Sequence, residues 1–192
     1  MMGSQTMDVK MVLGRNYMED MNREENTEEI AAHFRQIAAV SSSLFEKIPY
    51  EVVFTEEDHY KSAKDMREKV TASGIIYIFS GNNDHPFLSP EENVKGRAVH
   101  DVFAHMVCGC PFSFQGELNA YYEQRKHYPK ETWATLFAEI PMQTAAFYYN
   151  GKSFEGIVQR GIKATETEMN LVEHLRKDYS HNSVLSSVDL LK

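Results

Sequence analysis

Two cysteines in 192 residues, Cys108 and Cys110, are too few and too close for a disulfide scaffold. One residue separates them, so a bridge would close a small, strained ring, and both read as reduced thiols. Without a second cysteine pair they are also a weak zinc-finger signal. No apolar run approaches the ~20 residues of a membrane span. The opening stretch Met1–Asp8 lacks the apolar core of a secretion signal. The expectation is a cytoplasmic protein, or a virion-associated one assembled in a cytoplasm. Basic side chains are also scarce: 20 Lys and Arg stand against 28 Asp and Glu, a net charge of -8. That balance provides no basic stripe for nucleic acid and repels an anionic membrane. Internal repeats and low-complexity tracts are absent.

What remains is ordinary soluble composition, 42% apolar and 25% charged, in a chain long enough to bury one core without staples. The pattern predicts an α+β, mostly helical fold: a small sheet of two or three strands beside a helical bundle that carries the site. Residues 1–25 read as a loose N-terminal arm, 26–180 as a single globular domain and 181–192 as a tail. Asn26 with Glu29 outlines a helix cap. Ile30, Phe34, Ile37, Val40, Leu44 and Phe45 recur at helical spacing up to Pro49. Tyr50–Phe54 and Gly74–Phe79 read as strands, and a polar helix from Glu56 to about Val70 would join them in a βαβ unit. Phe87–Asn93 reads as loop leading into a helix near Lys95. Further helices are expected over 96–107, 116–127, 130–149 and about Phe154–Tyr179. Phe34, Phe45, Phe79, Phe103, Trp133, Phe137 and Phe147 read as core rather than as an aromatic binding box. His127, His174 and His181 lie in polar surroundings and read as surface.

Chemistry concentrates in Arg97-Ala-Val-His100-Asp101-Val-Phe-Ala-His105, followed by Gln115-Gly116-Glu117 and by Phe137-Ala-Glu139. Imidazole with carboxylate is the donor set of zinc, iron and manganese. In a regular helix, residues five apart lie about 140° from each other, whereas residues four apart share a face. Two readings follow. Asp101 and His105 are the ligands, or the helix is irregular near His100, as at a π-bulge, and both histidines bind. The completing carboxylate is Glu117 or Glu139. Tyr121 and Gln124 lie on or near the helical face of Glu117. Glu139 sits in an apolar stretch where burial is costly without a partner, and Gln143, four residues on, would point into the same pocket.

His100-Asp101-x-x-x-His105 resembles the His-Glu-x-x-x-His signature of the pterin-dependent aromatic amino acid hydroxylases, with Asp101 in place of the glutamate. The lead-in His85-Pro-Phe-Leu-Ser-Pro90-Glu91 is similar too. The resemblance covers about residues 85–145. It implies that both histidines bind ferrous iron and that Glu139, in about the place of the family's later glutamate, completes the triad. No pterin-binding segment accompanies it. The longer pattern, with Phe114-x-Gly116-Glu117-x-x-Ala120-Tyr121 and Glu139-x-x-x-Gln143, also resembles uncharacterised proteins encoded by bacteriophages and their hosts that share a His-Asp-x-Phe-Gly-His core. That resemblance implies a metal site and a phage origin without fixing a reaction.

The leading expectation is therefore a metal-dependent enzyme with a two-histidine, one-carboxylate site. His100, His105 and Glu139 are its metal ligands, and Asp101, Glu117 and Gln143 its catalytic or supporting groups. The cofactor is a divalent ion, Fe2+ favoured over Zn2+. The substrate is a small molecule or a peptide. The alternatives are a zinc-dependent, peptidase-like hydrolase and a non-catalytic phage structural or interaction protein. Protein partners would be other components of a phage particle or further copies of the chain.

Overall fold

The computed structural model describes residues 8–20 and 22–176; the expected tail and His181 lie outside them. Most of the chain is helical. Its two strands, β1 (Glu51–Thr55) and β2 (Ile75–Phe79), pair in parallel, with Glu51 opposite Ile75 and Thr55 opposite Phe79. Helix α3 (Ala63–Ser73) is the crossover, so the expected βαβ unit is present. It is shorter than the polar pattern suggested, because Ser62 supplies the cap that starts it by accepting from Asp65 N.

Within the stretch expected as a loose arm, Val9–Glu19 form a helix, α1, with Leu13 and Tyr17 fully buried. It packs on α7 (Gln143–Tyr149). Gly14 permits the approach, since a Cβ there would overlap the Ala145 carbonyl. The N-terminal segment is also tied to α8 (Glu166–Val172). Arg23 pairs with Glu168, both side chains nearly enclosed, and Asn16 Nδ2 donates to the same carboxylate at 2.9 Å. An arm of mixed polarity is thus ordered by partners some 130 to 150 residues away.

Helix α2 (Glu28–Phe45) turns Ile30, Phe34, Ile37 and Leu44 inward. Its cap is Thr27 rather than Asn26, which takes a left-handed φ of 55° and donates its N–H to Gly161 O. Helix α4 (Pro90–His100) begins earlier than expected. Ser89 and Glu92 form a complete capping box and Pro90 occupies the first turn. Helix α5 (Phe114–Gln124) follows. The stretch expected as one helix over 130–149 is divided into α6 (Trp133–Phe137), a π-helical turn (Ala138–Met142) and α7. Pro141 sits inside that turn. Proline lacks an N–H and collides with the carbonyl four residues back, a conflict that a widened turn relieves. Within the described part of the expected last helix, only α8 and a short 3-10 turn (Glu173–Leu175) are helical. Residues 150–165 run without helix, and Ile162 and Ala164 are buried there.

One hydrophobic cluster extends from Leu13 to Val172 and packs around α4 and α5. Of the aromatic residues expected in the core, Phe34, Phe103 and Phe137 are buried, whereas Phe79 is 43% exposed. No described helix is long and apolar enough to cross a membrane.

Candidate metal centre

Helix α4 does not continue regularly past His100. Asp101–Val107 is π-helical, and the Cys108 N–H reaches back five residues to the Phe103 carbonyl at 3.3 Å. The wider turn brings residues five apart onto one face. His100 and His105 therefore meet, their Nε2 atoms 3.1 Å apart. Of the two geometries left open by the spacing, the chain adopts the irregular one.

The acid beside them comes from the first turn of α5. Ser113 caps that helix by accepting from Gly116 N. Glu117 then places Oε2 3.0 Å from His100 Nε2 and Oε1 3.3 Å from His105 Nε2. Gly116 has no room for a side chain, because a Cβ would overlap the Pro111 carbonyl oxygen. The absence of one lets α5 start close enough to deliver Glu117. His100, His105 and Glu117 form a group able to hold a metal ion, with their donor atoms all within 4.8 Å of one another.

The outer nitrogens decide what the inner ones can do. His105 Nδ1 lies 2.8 Å from the Cys110 carbonyl, which can only accept, so Nδ1 carries the proton and Nε2 presents a lone pair. His100 Nδ1 lies 2.9 Å from Gln124 Oε1, and the Gln124 amide donates onward to the Tyr128 hydroxyl at 3.5 Å. In both rings the lone pair faces the shared centre. Three electron-rich atoms converging in a mostly buried space require a cation. Without a metal that cation is a proton. Burial opposes charging His100, but the field and hydrogen bond of Glu117 outweigh it, and the ring is pushed up to about 9. Burial likewise raises the Glu117 carboxyl, yet the two imidazoles hold it far below the usual carboxylate range.

Asp101 stands at the edge of this group. Burial raises its carboxyl against the opposing fields of His105 and His100. It accepts no hydrogen bond among the described residues, and it lines a cleft with Phe112, whose ring meets His105 edge-on at 4.6 Å.

Glu139 and Gln143 are not with the triad. Glu139 lies on the second π-turn with Oε2 3.7 Å from His85 Nε2, and its Oε1 is buried without a hydrogen-bond partner. Gln143 hydrogen-bonds the Tyr17 hydroxyl, which also feels the charge of Glu139. The hydroxylase-like order would put the acid far downstream; here the acid next to the imidazoles is only twelve positions after His105. The two π-turns, which no residue count specifies, produce that exchange. The sequence also concealed the Cys110 carbonyl and Phe112, since neither a main-chain oxygen nor a lone phenylalanine carries a ligand signal. Comparison with known proteins gives no match among family models, curated proteins or solved structures.

Proposed function

We propose that the protein is a metal-dependent enzyme whose divalent ion is held by His100 Nε2, His105 Nε2 and the Glu117 carboxylate, with ferrous iron as the favoured ion. The observation that carries this reading is the orientation of the donors. Both rings have Nδ1 committed to an acceptor and Nε2 turned to a common point. Ferrous iron is favoured by the donor set itself, since two imidazoles and one carboxylate on one face leave further positions open for oxygen and substrate. Bound there, ferrous iron supplies oxygen-dependent oxidation.

The chain's own residues do the rest. Gln124 and the Cys110 carbonyl fix the rings. Phe112 covers the outer face of His105 and limits water there. Asp101, at the cleft wall and with no hydrogen bond among the described residues, is placed to orient a substrate or to take a proton from it. That same feature favours a second reading, a zinc-dependent hydrolase in which Asp101 is the general base toward water.

Metal analysis of protein purified without chelator tests the proposal, with Glu117→Gln and His105→Ala beside it. About one equivalent of metal in the wild type and none in the variants is expected; stoichiometric metal in both variants would overturn it. Anaerobic addition of ferrous iron and nitric oxide then separates the readings. An iron–nitrosyl signal supports oxidation chemistry, and tight zinc uptake with no such signal supports hydrolysis.

A further inference from the structure

A cleft opens beside the triad, between the loop after β1, the end of β2 and the start of the π-helical segment. Asp101 stands in its lining, and the exposed Glu57 and Asp58 stand at its rim. The sides are aromatic. His59 stacks on Tyr77 with centroids 4.1 Å apart and planes 12° from parallel, and Phe79 and Phe112 are 43% and 41% exposed. Phe112 belongs to both places, since the ring that lines the cleft also packs on His105. The cleft is shallow, about 90 Å³, room for the ammonium end of a small molecule with the remainder lying along the open aromatic sides.

Three carboxylates thus share the cleft with aromatic faces, and among the described residues no lysine or arginine lines it. The nearby basic groups are occupied elsewhere. Lys69 donates to the His59 carbonyl at 2.8 Å and to Asp65 at 2.9 Å. Arg97, whose charge reaches Asp101, spends its N–H groups on the carbonyls of Phe79, Gly81 and Asn82. His59 lies 3.9 Å from Glu57. Among the described residues nothing hydrogen-bonds the Asp101 carboxylate. Carboxylates combined with aromatic faces select an organic cation: the ammonium pairs with the acid, and its flat apolar part covers the rings.

We propose that this cleft binds small protonated amines carrying an aromatic or similarly flat group, with the ammonium at Asp101, and that such amines are the substrate class of the adjoining centre. The word substrate rests on the metalloenzyme reading above; binding of the amine does not. Glu57 and Asp58 attract the cation from solution, an effect that salt screens.

Calorimetric titration of the full chain, metal-stripped and ferrous-loaded, with phenethylammonium, phenethyl alcohol and phenylacetate tests the proposal. The ammonium is expected to bind at least about tenfold more tightly than either of the others, in both forms of the protein. Asp101→Asn removes that preference. The double variant Glu57→Gln/Asp58→Asn, on exposed residues, slows association and flattens its salt dependence while leaving metal stoichiometry unchanged. The proposal is overturned by equal binding of the three probes, by binding of none, or by a folded Asp101→Asn protein that keeps the preference. Ammonium selectivity without metal uptake would keep the cleft assignment and remove the metalloenzyme reading. Metal uptake without selectivity would do the reverse.

Discussion

At the triad, the Cys110 carbonyl and the Gln124 amide oxygen accept from the Nδ1 atoms of His105 and His100. At His85 the polarity is reversed. The N–H groups of Phe87 and Leu88 both donate to Nδ1, each at 3.1 Å, so the proton resides on Nε2, and it is Nε2 that faces Glu139. Both places pair histidine with a carboxylate delivered near a π-helical turn. Only the first offers ring lone pairs to a cation. Whether a histidine can ligate is therefore set by what the chain does at the opposite ring nitrogen, and the nearness of an acid does not decide it.

Removing a ligand should have the largest effect. Glu117→Ala is expected to weaken metal binding by more than about 1000-fold, beyond the 10–100-fold typical of outer-shell losses, as read by competition with a chromophoric chelator. Gly116→Ala comes next. The new methyl displaces the start of α5, which should cost about 1–3 kcal/mol in denaturant-determined stability and lower metal affinity with it. Unchanged stability and affinity would mean that the close approach to Pro111 does not position Glu117.

Gln124→Leu keeps the bulk but removes the acceptor for His100 Nδ1, and metal affinity should fall about 10–100-fold with the fold retained. Glu139→Gln should leave metal stoichiometry unchanged and stability unchanged or raised, because it neutralises a carboxylate with one unpartnered buried oxygen. Loss of metal from that variant would break the contrast between the two clusters.

The contrast also has a pH signature. In metal-free protein the folded-state value of His100 is raised from 6.5 to about 9. Its stabilising contribution is thus fully present below about 6.5 and lost as pH rises through about 9. Bound metal replaces the proton, so the alkaline loss in melting temperature should disappear when metal is added.

Much of this was legible in the residues. The apolar spacing of α2 and the β-branched run of β2 specify their elements locally, and α3 between two strands is the crossover that a parallel pair needs. The concentration of imidazole and carboxylate near His100 marks the region of the centre. What was not legible depends on distant or main-chain contacts. Leu13 and Tyr17 in α1 find their cover in the second half of the chain. Phe79 lies in a run that reads as buried strand, yet it sits at the open end of a two-stranded sheet. The choice of Glu117 over Glu139 turns on two π-turns and a glycine without space for a methyl group, and residue spacing carries none of these.

The most direct test is an anomalous-scattering map of crystals grown anaerobically with ferrous iron, collected on both sides of the iron edge. A single peak within about 2.3 Å of His100 Nε2, His105 Nε2 and a Glu117 oxygen is the predicted result. A peak bonded to Glu139, or no peak while the three side chains stay joined by hydrogen bonds alone, would contradict it.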